Sequence, residues 1–491
     1  MFSPPSAPHK TLTLTAVCLG TFMLIIDILI VVVALPSIRH SLHTSFSDVQ
    51  WTIDAYSLTL AALLLPTGSL ADILGRRRVF ALGLLVFTVG SLLCGIAGSG
   101  SELIAFRALQ GVGGATIFAT SLALLAQTFH GRERGFAFGV WGAVVTLAGA
   151  LGPVLGGLLT TELSWRWIFF VNLPIGAVAI VITLVGVQES RPPHSRRIDI
   201  PGALVFTLGL LALVYGLIES GPAGWGSVRV IVALAVAVVS LVSFPLIERV
   251  HPEPMFDLAL LRKPTFVGGL AAAFGINGSL YAMLLYLVLY LQNGLHYSAL
   301  GAGVRLIVIT GGAMLTAVPA GRLSEKVPVR WLIGPGLLLI GVGLLLMRGI
   351  GPGTGWTHLI LGFALAGAGS GMVNPPLAST AVGVVAPKDS GMASGINTTF
   401  RQIGIATSVA ALGSIFASHL RHATPATLTA HYASGLNVLL LIAACTAFGA
   451  AALALALIRR QDFHAAAPAP PAADGAGDGE IPERSAALLS R

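Results

Sequence analysis

Long apolar stretches alternate with short polar loops from Leu12 to Ile458. A helix needs about 20 apolar residues to cross a hydrocarbon layer, and most of these stretches supply them. Lipid offers the backbone no hydrogen-bond partner, so the stretches must be helical. The pattern predicts about fourteen spans, near 12–36, 49–69, 79–98, 102–127, 136–160, 167–188, 200–219, 228–247, 265–291, 300–320, 331–349, 357–378, 390–417 and 433–458. The fold class that follows is an all-α polytopic membrane protein. The first stretch is too long for a cleavable leader and shows no evident cleavage site. After Arg460 the pattern stops. Residues 461–491 are rich in alanine, proline and glycine, bury no core, and are expected to form a disordered tail.

Charge sets the orientation. With the N-terminus inside, the inner loops and span ends hold 18 lysines and arginines, and the outer loops hold five, Arg39, Arg166, Arg229, Arg348 and Arg421. Basic loops stay in the cytoplasm, so both termini are expected there and the number of spans is even. Frequent arginine, alanine and glycine suggest a bacterial chain, which places it in a bacterial cytoplasmic membrane with lipid as its surroundings.

The same numbers exclude other classes. Only 10% of the 491 residues are charged, against about 25% in soluble chains. The net charge of +8 is spread over loops and forms no stripe for nucleic acid. Cys18, Cys94 and Cys445 lie in apolar stretches and make no disulfide or metal set. There is no GxxxxGK[ST] loop for a nucleotide, no H-x-x-x-H pair and no nucleophile elbow. No cofactor, metal or enzymatic activity is therefore expected, and energy must come from an ion gradient or from the substrate's own gradient.

One loop stands out. GSLADILGRRRVF, Gly68 to Phe80, places Asp72 between Gly68 and Gly75, directly before Arg76, Arg77 and Arg78. GRLSEKVPVR, Gly321 to Arg330, echoes it with a glycine, an acid at Glu325 and later cations. The echo follows the second span of a second set of six. The simplest division is a six-helix half over residues 1–190, two extra spans over 191–262, a second half over 263–460, and the tail. Related halves with a site between them near the midplane are a common transporter plan.

Charges inside spans cost about 2.5–3.5 kcal/mol each at the centre, so they are functional candidates. Asp27 lies about 13 Å below the outer end of span one, and Arg107 about 9 Å below the outer end of span four, at 1.5 Å per residue. Similar depths allow them to meet within the first half. A movable Arg107 would switch Asp27 between proton-loaded and proton-free states; a permanent pair would only lock the two spans together. Asp54 starts span two near the outer surface, as a cavity residue or as a hydrated end residue favourable to the helix dipole. Glu219 reads as interfacial, and Arg305 as a side chain that snorkels outward. Arg401 lies about three turns into span thirteen, facing a cavity or bonding to Asn374 or Gln402.

Gly149, Gly152, Pro153, Gly156 and Gly157 cluster on span five. Small residues permit close helix approach and proline bends the helix, which together suit a moving gate. Span nine carries Asn277, Ser279, Tyr281, Tyr286 and Tyr290, polar groups fit to line a cavity for a lipophilic substrate. With Asp54, Gln110, Asn374 and Arg401, residues Asn277, Tyr281 and Tyr286 are the cavity candidates.

These features together resemble the fourteen-span drug:proton antiporter branch of the major facilitator superfamily, over nearly all of the chain up to Arg460. The resemblance rests on Asp27 with Ala34-Leu35-Pro36, the Gly68–Arg78 loop, and Arg107-Ala-Leu-Gln110-Gly111. It continues through Gly152-Pro153-Val-Leu-Gly156-Gly157 and WRWIFFVNLPIG at 165–176. It implies two six-helix halves with two extra central spans. It also implies a proton site at Asp27 coupled to Arg107, a conformational gate in the Gly68 loop and in span five, and proton-driven export of lipophilic drugs or antibiotics by alternating access. Export of a non-drug metabolite is the near alternative; a membrane enzyme or a non-transporting sensor is the distant one. The chain departs from the family pattern at Leu29 and Val32, where threonine and asparagine are usual, and at Ile73, where a cation is usual.

Overall fold

A computed structural model describes residues 7–129, 131–190, 199–324, 326–351, 353–385, 390–420, 424 and 427–463. Glu325 of the echoing loop, Arg191, Arg196, Arg197, Lys388, Arg421 and the tail from His464 lie outside the described residues. Among the described residues, 13 helices are long and apolar enough to cross a membrane, and Arg330–Leu346 is a shorter apolar helix.

The helices are α1 Ala7–Leu42, α2 Phe46–Leu74, α3 Arg76–Ile96, α4 Gly100–Thr128 and α5 Gly131–Glu162. Next come α6 Trp167–Gly186, α7 Ile200–Ala223 and α8 Val228–Val250. The remainder are α9 Pro264–Gly294, α10 Ala299–Leu323, α11 Arg330–Leu346, α12 Ile360–Gly383, α13 Ser390–Leu420 and α14 Leu428–Leu457. They run alternately up and down. One end of the bundle therefore carries the N-terminus and the Arg76–Arg78 loop and is called here the basic face; the other is the opposite face.

Local chemistry fixes the helix ends. Ser45 accepts from Asp48 N at 3.1 Å while the Asp48 carboxylate accepts from Ser45 N at 2.8 Å, a reciprocal cap on α2. Ser99 caps α4 and Ser298 caps α10 in the simpler way. Within helices, hydroxyls return to the carbonyl four residues earlier, as Thr59 does to Ala55 and Ser279 to Gly275. Their donors are thus satisfied without water, which lets polar side chains sit in an apolar bundle.

α1–α6 pack into one half and α9–α14 into the other; α7 and α8 pair as a hairpin, and α7 lies against both α2 and α13. The halves meet along two crossings, α2 on α13 and α5 on α10. Glycine makes the second crossing close. A Cβ on Gly157 would stand 2.7 Å from the Ala299 carbonyl oxygen, and one on Gly303 would overlap the Pro153 carbonyl.

The contacts between halves are uneven along the bundle. Near the opposite face, Gln292 Nε2 donates to Val33 O at 2.7 Å and Leu300 N to Thr161 Oγ1 at 3.1 Å. Phe46 and Phe416 stack there with ring centres 5.9 Å apart. One apolar cluster runs from Ile30 and Ile38 of α1 directly into α9, α10, α13 and α14. Deeper, Gln50 Nε2 donates to Val409 O at 3.1 Å, and Leu65 touches Gly395. Beyond that point, toward the basic face, no hydrogen bond joins the halves among the described residues. Ala16, Leu124 and Phe129 belong to one cluster, and Phe266, Val384 and Ile396 to another that also takes in Leu58 and Ala61 of α2. The halves are closed at the opposite face and part at the basic face.

Candidate functional site

The densest polar cluster lies inside the first half. Asp27, at mid-α1, has no exposed side-chain surface, and Arg107 has 2%. Arg107 Nη1 donates to Asp27 Oδ2 at 2.5 Å. The other carboxylate oxygen accepts from Gln110 Nε2 at 2.8 Å and from Asn172 Nδ2 at 3.1 Å. Gln110 Oε1 accepts a second bond from Arg107 Nη1 at 2.7 Å, and Arg107 Nε donates to Thr52 O at 3.1 Å. Ser91 accepts from Asn172 at 2.9 Å and donates to Phe169 O at 3.0 Å. The Arg107 guanidinium lies 4.3 Å from the Tyr56 ring centre, an attraction that helps a cation stay in an apolar bundle.

Five helices thus meet around the Asp27–Arg107 pair: α1 brings the acid, α4 the cation and an amide, α6 an amide, α2 a carbonyl that accepts from the cation, and α3 a hydroxyl that holds the amides. Charge-assisted bonds of this kind are about twice as strong as neutral ones. Removing one member of a buried ion pair costs about 3–5 kcal/mol, because the other charge is left stranded. The cluster therefore makes the packing of α1, α2 and α4 depend on the charge of one residue. Ser91, Asn172, Thr52 and Tyr56 were not singled out from sequence. Asn172 was in view inside WRWIFFVNLPIG, where its polarity amid apolar residues was the available signal.

The structure places the cavity candidates differently from one another. Gln110 is buried in the Asp27 cluster. Asp54 is fully buried, and neither carboxylate oxygen has a hydrogen-bond partner among the described residues. Its reading as a hydrated end residue is corrected here: the Ser45 cap starts α2 two turns earlier, and α13 packs over it. Tyr286 is buried and donates to Val409 O at 2.5 Å. Asn277 is buried and donates to Ala273 O of its own helix at 2.8 Å. Neither lines a cavity in this arrangement, because α9 is wrapped by its neighbours. Tyr281, Asn374 and Arg401 are half-buried and form a second cluster. Arg401 Nη1 donates to Asn374 Oδ1 at 2.7 Å and its Nε to Asn397 Oδ1 at 3.3 Å; Asn374 Nδ2 donates to the Tyr281 hydroxyl at 3.3 Å. Arg401 therefore bonds to Asn374. Arg305 stays near the opposite face, stacked 3.5 Å from the Tyr297 ring centre.

At the basic face, Arg76 donates to Asp72 at 3.0 Å and to Gln127 Oε1 at 3.3 Å. Glu189, beyond α6, accepts from the backbone of Arg77 at 3.1 Å and of Arg78 at 3.3 Å, capping α3 where helix N–H groups lack partners. Arg77 also donates to the Leu184 carbonyl. Gly75 has φ +109°, and a Cβ there would stand 2.5 Å from Glu189 Oε1, so the turn needs glycine twice over. Gly68 meets nothing within 4 Å. On α5, Gly152 and Gly156 pack against Leu29 and Ile30 of α1, whereas Gly157 and Pro153 face α10.

Known proteins share this plan. The chain is 36% identical over 431 residues to multidrug resistance protein Stp of Mycobacterium tuberculosis, covering 86% of this chain and 80% of the relative. It is 35% identical over 413 residues to puromycin resistance protein pur8 of Streptomyces alboniger, covering 83% and 82%. A solved bacterial homolog of the human lysosomal transporter Spinster, inward-facing and occupied, superposes with a TM-score of 0.65 at 18% identity, over 94% of this chain and all of that one. That likeness shows the fold: two six-helix halves. The Major Facilitator Superfamily pattern matches residues 17–409 and again 270–486. With relatives of this identity and coverage, the chain belongs to the Major Facilitator Superfamily.

Proposed function

We propose that the protein is a proton-coupled antiporter that exports lipophilic small molecules, drugs and antibiotics among them, from the cytoplasm by alternating access. The relatives' names support the substrate class: multidrug resistance for one and puromycin resistance for another. The excess of cations at the basic face supports a cytoplasmic position for that face and both termini. The arrangement described above is then the inward-open state.

The observation that carries the reading is Asp27 held by Arg107, Gln110 and Asn172. A proton arriving on Asp27 removes the charge that holds Arg107 Nη1. Arg107 also holds Thr52 of α2, and α2 packs on α13 of the other half. Asp27 sits on the helix against which Gly152 and Gly156 of α5 pack, and α5 forms the other crossing through Gly157. Both crossings between the halves are therefore one helix away from the proton site. Protons entering down their gradient reset the bundle, and the substrate leaves in exchange.

The test is uphill transport by the purified full chain in proteoliposomes under an imposed pH gradient, with a panel of dyes and antibiotics. Gradient-dependent transport of some of the panel, with counterflow of protons, is the expected result. Transport that is indifferent to the gradient overturns the proton coupling.

A further inference from the structure

Arg107 and Arg401 are both arginines deep in the bundle, and their surroundings differ. Arg107 is neutralised by Asp27. Arg401 is bonded to two amide oxygens, those of Asn374 and Asn397, and forms no ion pair among the described residues. The sequence extends the point. Between Pro264 and Leu457 the chain has two acids, Glu325 and Asp389, and both lie outside the described residues. Among the described residues, no helix of the second half contains a carboxylate to cancel the charge of Arg401.

An uncompensated cation inside a membrane bundle is expensive, and such residues face a cavity or a partner. Arg401 is half-buried. It lies on α13, which packs on α7, α9, α12 and α14 and, across the junction of the halves, on α2. The residue lies 11 positions after Ser390, about 16 Å into the helix at 1.5 Å per residue. That depth is out of reach of lipid headgroups at the basic face. Guanidinium carries five N–H donors in a planar fork suited to a two-point grip on a carboxylate. Nε and Nη1 are held by the amides, which aim the fork, and Nη2 makes no bond to either amide.

We infer that Arg401, oriented by Asn374 and Asn397, is an anion subsite that grips the carboxylate of an acidic amphiphile as it is exported. The inference rests on the exporter reading and narrows its substrate class to lipophilic acids. Tyr281, bonded through Asn374, adds an aromatic face beside the charge.

The test compares tritiated pyrenebutyrate with its uncharged amide, pyrenebutyramide. Binding to the purified full chain is measured by scintillation proximity, and gradient-driven transport in proteoliposomes. The wild-type protein is expected to prefer the carboxylate by about tenfold or more, the scale of one charge-assisted hydrogen bond. Arg401→Gln brings the ratio close to one and Arg401→Lys keeps part of it. Asn374→Asp supplies an internal carboxylate to the same guanidinium and also collapses the ratio, which keeps the test intact if Arg401→Gln does not fold. No preference in the wild-type protein overturns the subsite, as does an equal loss of both ligands in every variant. A preference without gradient-driven transport leaves the subsite standing and removes the exporter. Transport of the amide without any preference does the reverse.

Discussion

Asn172 donates to Asp27 Oδ1 at 3.1 Å, tying α6 to α1 across 145 residues of sequence. The bond makes α6 part of the cluster that holds Asp27, the residue proposed above as the proton site. Asn172→Ala removes one donor to the carboxylate and is expected to cost about 1.5–3 kcal/mol, as for hydrogen bonds to charged groups. In the Asp27→Asn background the same change should cost much less, because the charge is gone. A double-mutant cycle on unfolding in detergent checks this, and additive losses would separate Asn172 from the site.

Asp27→Asn is expected to abolish uphill efflux while substrate still binds. The variant leaves Arg107 without its countercharge, so it should also unfold at lower temperature than the wild-type protein. Gln110 and Thr52 still hold the guanidinium, which keeps the fold within reach of measurement. Transport and substrate-induced proton release are read on one preparation. Full uphill activity in the Asn variant would remove Asp27 as the coupling site.

The two glycines of the arginine loop should behave differently. Gly68→Ala meets open space and is expected to change stability by less than about 0.5 kcal/mol. Gly75→Ala meets the Glu189 carboxylate in a backbone conformation that disfavours side chains, and should cost about 1–3 kcal/mol. Thermal unfolding of the two variants decides it. Equal effects would mean that Glu189 does not seat the loop as described.

Span five offers a further contrast. Gly156→Leu would strike the Ile30 carbonyl inside the first half, whereas Gly157→Leu would strike Ala299 and Leu300 across the crossing. The first is expected to lower stability by about 1–3 kcal/mol, the range for overpacking. The second should bias the two-state balance by opening the crossing, since 1.4 kcal/mol shifts populations about tenfold. Spin labels at the exposed His40 and Thr424 positions report the separation of the halves at the opposite face. A longer distance in Gly157→Leu and an unchanged one in Gly156→Leu is the expected pair of outcomes.

The legible parts of this chain are those where the membrane makes polarity costly. The spans, Asp27 and Arg107 stand out because apolar neighbours surround them, and similar depths alone point to their meeting. Asp54 was misplaced for a specific reason. Its depth depends on where α2 begins, and the Ser45–Asp48 cap moves that start by a turn. Asn172 and Ser91 were opaque because small neutral polar residues are frequent in spans, and their partners are set by packing between helices distant in sequence. Asp72 holds Arg76 of its own loop, a partner adjacent enough in sequence to be read directly. Glu189, which seats that loop, follows α6 and gave no local pattern to read.

α9 is the most enclosed of the long helices, and it contains two wide turns, Asn277–Tyr281 and Tyr290–Gly294, the second closed by Leu295 N donating to Tyr290 O at 2.9 Å. Each wide turn holds one residue more than an α-turn at that place would. Drawing that residue out would rotate everything beyond it by about 100°, one step of a 3.6-residue helix. Tyr281 ends the first wide turn and Tyr286 lies between the two. A matched slip, one turn tightening while the other loosens, would swing both rings to new neighbours without moving either end of the helix. The helix buried most deeply in the second half thus carries a spare residue at each end of its Ala282–Leu289 segment.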